Sequence, residues 1–128
     1  MRKSIFLFLL ACSIGLVSCG GNNPTNPSGQ TPAATTCNVS YSVTSSNTGV
    51  SASIAYTLPD GSTFSAGTQT LPFTSPTYVF QKGIAVALAW GFVAGPISNI
   101  SCHIYENGSL VAGSSTLASG DAVGFVLN

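Results

Sequence analysis

The stretch from Gly83 to Val93, GIAVALAWGFV, sets the tightest limit on how this chain folds. Ala and Leu favour a helix by propensity. Yet Ile84, Val86, Leu88, Trp90 and Phe92 are all large, while Ala85, Ala87, Ala89 and Gly91 are all small. Side-chain size alternates with period two, and a helix would scatter the large residues around its circumference. The segment reads as a central strand whose large row faces a core.

The same period governs the residues around it. Cys37, Val39, Tyr41 and Val43 alternate with Asn38, Ser40, Ser42 and Thr44. Ala52, Ile54, Tyr56 and Leu58 alternate with Ser51, Ser53, Ala55 and Thr57. LPDGST supplies a Pro-Asp-Gly turn. Thr63 to Ser65 and Thr68 to Phe73 then read as short strands, with Pro72 and Pro76 marking an edge or a strand end. Tyr78 to Phe80 runs into a second turn at Lys82-Gly83, and Ile100, Cys102 and Ile104 alternate with Ser101, His103 and Tyr105.

Asn107-Gly108 is the strongest hairpin signal, because a type I′ turn needs positive φ at both central residues. A two-residue loop there pairs Glu106 with Ser109, Tyr105 with Leu110 and Ile104 with Val111. Val123, Phe125 and Leu127 follow a last turn at ASGD. Seven or eight short strands with a turn about every ten residues specify an all-β fold, a small Ig-like β-sandwich over residues 37–128.

The N-terminal residues read differently. Arg2 and Lys3 precede an apolar run from Ile5 to Val17, too short for the roughly 20 residues of a membrane span. The run fits the h-region of a secretory signal. Leu16-Val17-Ser18-Cys19 resembles the lipobox of bacterial lipoproteins, which makes 1–18 a signal peptide and Cys19 the lipidated first residue of the mature chain. Each buried lipid CH2 adds about 0.8 kcal/mol of membrane affinity. Residues 20–36, GGNNPTNPSGQTPAATT, carry no charge and no large apolar side chain, so 19–36 is expected to be a flexible tether. Fully extended, residues 20–36 reach roughly 55–60 Å. Gly20 rather than Asp after the cysteine points to an outer-membrane anchor facing the periplasm.

Composition narrows the function. Beyond residue 18 the only charged side chains are Lys82, Asp60, Glu106 and Asp121, a formal charge of −2. Nothing here makes a basic patch, so nucleic acid is not an expected partner. No Gly-x-Ser-x-Gly elbow is present, and no cofactor is implied. Asp60, Glu106 and Asp121 each stand in or beside a turn, where turn chemistry or exposure accounts for them. His103 has no second His or Cys in metal register, so no metal site is expected. Trp90 falls in the large row with Leu88 and Phe92, which assigns it to the core rather than to a sugar platform. The Asn-x-Ser triplets at Asn38, Asn99 and Asn107 are compositional in a bacterial lipoprotein.

Two thiols remain in the domain, Cys37 and Cys102, both in phase with inward residues. An exported compartment permits a disulfide between them. It would close a loop of about 65 residues, worth roughly 4 kcal/mol by chain entropy. The alternative is two buried cysteines acting as small apolar residues.

YSVTSS, ASIAYTLPDGS, TLPF and ISCHIYENGSLV occur in the order and approximate spacing of the MmpS family of mycobacterial membrane proteins. The chain resembles that family from residue 41 to about 120, most specifically in Leu71-Pro72-Phe73 and in Cys102, Ile104 and Gly108. The resemblance implies an extracytoplasmic β-sandwich and the role of an accessory protein to a membrane transporter. A lipobox stands here in place of the family's transmembrane anchor.

Two functions follow. One is a non-catalytic accessory module whose partner is a transporter or another envelope protein. The other is a small ligand- or glycan-binding lipoprotein. A flat face or an open strand edge favours the first, a concave aromatic pocket the second. His103, Tyr105 and Leu110, side by side on the outward face of the Asn-Gly hairpin, are the candidate partner-binding residues.

Overall fold

The computed structural model describes residues 33–128, all strands and turns without a helix. The signal peptide, Cys19 and most of the tether lie outside the described residues. The strands are β1 (Thr36–Ser45), β2 (Ser51–Thr57), β3 (Thr63–Thr70), β4 (Phe73–Thr74), β5 (Tyr78–Gln81), β6 (Ala85–Ala94), β7 (Asn99–Glu106), β8 (Ser109–Leu117) and β9 (Asp121–Val126). They form two antiparallel sheets packed as a sandwich. Sheet I runs β4-β1-β7-β8, with β5 also on β1, and sheet II runs β3-β2-β6-β9.

β4 and β5 are two pieces of one edge. Ser42 and Val43 pair with both β4 and β7, and Val39 pairs with both Tyr78 of β5 and Glu106 of β7. Both short strands therefore lie on the side of β1 away from β7. Pro76 interrupts the edge, as its missing N–H requires. Buried Ser75 fills the break: its N–H donates to Tyr41 O at 2.9 Å, and its Oγ accepts from Tyr41 N at 3.0 Å. Counted once, this edge makes the sandwich eight-stranded.

β6 is a central strand of sheet II, and its large row is the core row. Val86, Leu88 and Trp90 are buried against Val39, Tyr41 and Val43 of β1, Ala52, Ile54 and Tyr56 of β2, and Ile100, Cys102 and Ile104 of β7. Trp90 is only 4% exposed, as a core residue should be. β3 corrects the sequence reading. It is one strand through Gly67, whose positive φ of 69° accompanies a bulge opposite Ile54 and Ala55, and it ends at Thr70. The turn before it is closed by Gly61 N–H donating to Leu58 O at 2.9 Å, with Gly61 at φ 80°.

The Asn107-Gly108 hairpin has φ values of 50° and 81°, the signs a type I′ turn needs. Glu106 pairs with Ser109 and Tyr105 with Leu110, as the two-residue loop dictates. Beyond that the register slips: Ile104 faces Ala112, not Val111. A β-bulge places one extra residue in β8.

Candidate functional site

β1 and β7 set the centre of the outer face of sheet I. Outward residues of β7 are Ser101, His103 and Tyr105, and their β1 partners are Thr44, Ser42 and Ser40. Only small hydroxyl side chains flank the two rings on that side. On the other side Tyr105 faces Leu110, which is 57% exposed. His103 faces Gly113, and a Cβ there would lie 2.9 Å from His103 Cδ2. The imidazole therefore lies over the glycine. His103 and Tyr105 are tilted together with centroids 6.2 Å apart, both half-buried.

All three residues of the expected cluster are thus brought together. Val79 of β5, exposed and opposite Asn38, adds an apolar side chain toward the same end of the face. The hairpin tip is held in place: Asn107 N donates to Asn38 O at 2.7 Å, and Asn107 Oδ1 accepts from Asn38 N at 2.9 Å. A partner would meet a patch on rigid strands rather than on a loop.

The two cysteines do not bridge. Both are free and buried. Cys102 faces Val43 across the β1–β7 ladder, and Cys37 lies six residues further along β1. At about 3.3 Å per residue that is roughly 20 Å, against a limit of about 7 Å between the Cα atoms of a disulfide. The expectation of a Cys37–Cys102 disulfide is therefore corrected, and both act as small apolar residues. Burial pushes the Cys37 thiol up, and the Glu106 carboxyl beside it pushes it further. Burial also raises Cys102, opposed by the Ser114 backbone. The Trp90 indole N–H lies on the same side of the core and, though buried, has no hydrogen-bond partner.

The acids occupy three separate places. Asp60 sits in the β2–β3 turn, where Ser62 Oγ at 2.6 Å and Ser62 N at 2.9 Å donate to its Oδ1 and hold its carboxyl below the usual range. Asp121 opens β9, and the Ser114 hydroxyl and the Ala122 N–H lower it in the same way. Glu106 is 9% exposed, a correction to its reading as a surface residue. No three His, Cys, Asp or Glu side chains among the described residues gather closely enough to hold a metal ion.

Tyr56 gathers four other aromatic rings. Tyr41, Phe64, Tyr78 and Phe73 lie around it with centroids 4.8 to 6.3 Å away. Its hydroxyl shares a 3.1 Å hydrogen bond with Tyr78, and burial together with that bond pushes it up to about 12. These rings close the side of the sandwich between β3 and the broken edge.

Concave surface lies elsewhere. Two shallow hollows, about 320 and 580 Å³, sit on the outer face of sheet II, with Ser53, Ala55, Ala87, Ala89, Gly91 and Gly124 among their linings. Trp90 also lines the first and Phe125 the second, but Trp90 is only 4% exposed and Phe125 half-buried, so neither ring stands open as a stacking platform. No protein-family model and no curated protein matches this chain.

Proposed function

We propose that this chain is a non-catalytic lipoprotein of the bacterial cell envelope that docks a protein partner through the outer face of sheet I. The observation that carries the reading is the Tyr105–Leu110 pair with His103 beside it, standing open among serines and threonines on rigid strands. Tyrosine supplies large contact area at low conformational cost and is enriched where proteins meet. The lipobox at Cys19 anchors the domain to the outer membrane, facing the periplasm, and the tether gives it reach. The resemblance to the MmpS family makes a component of a membrane transport system the partner of choice.

Two measurements test this. Mass spectrometry of the membrane fraction should find acyl chains on Cys19, and Cys19→Ala should release the protein from the membrane. In a crosslinking pull-down from the native envelope, Tyr105→Ala should lose most of the partner recovered by the wild type while its Tm stays within a few degrees. A soluble, unacylated wild type would remove the anchor. Unchanged recovery with Tyr105→Ala would remove the docking surface.

A further inference from the structure

Asn107-Gly108 is the one Asn-Gly pair in the chain, and Asp60-Gly61 the one Asp-Gly pair. Each sets a side-chain carbonyl carbon just before a glycine nitrogen, the arrangement from which a five-membered succinimide ring closes. The two sites are held differently. At Asp60 the electrophile is a carboxylate that the Ser62 hydroxyl and N–H favour as the ion, and Gly61 N already donates to Leu58 O at 2.9 Å. At Asn107 the electrophile is a neutral amide. Gly108 N–H, at the exposed tip, bonds no backbone carbonyl among the described residues. Asn38 N–H donates to Asn107 Oδ1 at 2.9 Å and so draws electron density from the carbon that a nucleophile would attack.

We propose that Asn107 is a site of spontaneous modification, where the chain converts its own amide to an acid when the hairpin tip opens. The Gly108 nitrogen gives up its proton to water and bonds to Asn107 Cγ, and the Cγ–Nδ2 bond breaks as ammonia leaves. Water then opens the succinimide at either of its carbonyls, leaving aspartate or isoaspartate at 107. Water enters, ammonia departs, and nothing is oxidised or reduced. The closed tip holds this reaction back. With φ of 50° and 81° the tip is a type I′ turn. In that turn ψ of the first central residue is about +30°, which carries the Gly108 nitrogen to the side of Cα away from the side chain. Asn107 N donating to Asn38 O at 2.7 Å, with the bond to Oδ1, fixes both backbone and side chain of Asn107 to β1. Attack waits on local opening, and the Asn38 bonds set how often the tip opens.

The product does not close again in the same way. Isoaspartate adds a carbon to the main chain inside a loop whose length pairs Glu106 with Ser109 and Tyr105 with Leu110. Either product also adds a negative charge next to Glu106, itself buried. The hairpin that carries Tyr105 and Leu110 is thus a part of the domain with a limited chemical lifetime. The modification rests on the hairpin alone and does not depend on the function proposed for the outer face of sheet I.

The test is incubation of the full chain in neutral detergent from neutral to mildly alkaline pH, with residue 107 followed by peptide mass and by enzymatic methylation of isoaspartate. Conversion should map to Asn107, rise with pH because the attacking nitrogen must lose its proton, and leave Asp60 unchanged. It should run at least about tenfold faster in urea, where no tip is closed. Asn38→Pro removes the N–H that holds Oδ1. Both polar backbone groups of Asn38 point to Asn107, so the proline costs β1 no bond to β5 and should speed conversion severalfold in the folded chain. Asn107→Gln, which would have to close a six-membered ring, should abolish it. Converted chain, separated by its added charge, should exchange the Asn38 amide faster than unconverted chain. Isoaspartate that forms as fast in the folded chain as in urea overturns the proposal. So does a folded wild type that forms none at Asn107 even at the alkaline end, or conversion at Asp60 ahead of Asn107. A folded Asn38→Pro that converts no faster than wild type overturns it as well. Should that variant fail to fold, the folded and urea-unfolded wild type decide alone.

Discussion

On the outer face of sheet I the central strand β7 carries His103 and Tyr105. On the outer face of sheet II the central strand β6 carries Ala85, Ala87, Ala89 and Gly91. Both strands turn an apolar row inward, Ile100, Cys102 and Ile104 in one and Val86, Leu88 and Trp90 in the other. The inward rows are alike because either sheet must fill its half of the core. The outward rows are under no such demand, so they are free to differ. A ring beside a leucine makes a knob, and a field of alanine and glycine makes a flat. Glycine marks both faces for opposite reasons. Gly113 of sheet I is occupied by the imidazole of His103, while Gly124 of sheet II lines a hollow.

That contrast is broken or kept most sharply by adding one carbon to each face. At Gly113 a Cβ would stand 2.9 Å from His103 Cδ2 and 3.1 Å from the Cys102 carbonyl oxygen. The ring can turn away but the backbone oxygen cannot, so Gly113→Ala should cost about 1–3 kcal/mol, the usual penalty for overpacking. At Gly124 the nearest atom is Val86 O at 3.5 Å, an ordinary contact. Gly124→Ala should therefore change stability by less than about 0.5 kcal/mol. Urea unfolding of the two variants measures the difference. Equal losses would show that the two faces are packed alike.

Gly91→Ala gives a smaller effect within sheet II. The added carbon would meet only Ser53 Oγ, at 2.9 Å. Ser53 can rotate, giving up its hydrogen bond to Gly91 O, an exposed bond worth about 0.5–1 kcal/mol. Stability should fall by no more than that, and Ser53→Ala should make the Gly91→Ala change nearly silent. A loss in Gly91→Ala that persists in the double variant would locate the strain in the backbone instead.

How much of this the sequence carried can be judged residue by residue. Size alternation in β6 was legible because three large inward residues with small ones between them fit only one period. Asn107-Gly108 fixed the hairpin and its first two pairs. Its bulge was not legible, since Val111 and Ala112 are both apolar and both half-buried, and hydropathy does not say which is the extra one. Without the bulge His103 would face Ala112 rather than Gly113, so the seat of the imidazole depends on that single insertion.

Glu106 shows phase prevailing over charge. It follows Ile100, Cys102 and Ile104 in the inward row, and the turn closes before the strand can rotate it out. The cysteines show the limit of phase itself. Alternation tells which side of a sheet a residue faces but not how far along the ladder it sits, and Cys37 and Cys102 agree in the first and differ in the second.

The smallest expected effect tests how the two sheets are joined. Ser114 on β8, the edge of sheet I, donates its hydroxyl to Asp121 on β9, the edge of sheet II. That bond, with the Ala122 N–H, holds the Asp121 carboxyl below its ordinary range. A carboxyl depressed in the folded state contributes stability that is full above the unfolded value of about 3.9 and fades as pH falls through the folded one. The acid limb of a stability profile should therefore steepen below about pH 4. Asp60, lowered in the same sense by Ser62, lies within a turn of sheet II and joins no sheets, so Asp60→Asn serves as the comparison. Asp121→Asn keeps a hydrogen-bonding side chain without the titration and should flatten the acid limb. It should also loosen the β8–β9 side, read as faster amide exchange at Ala122 and Val123 relative to Ala55. Acid limbs that coincide in Asp121→Asn and wild type, with exchange unchanged, would show that the Ser114–Asp121 bond has no part in joining the two sheets.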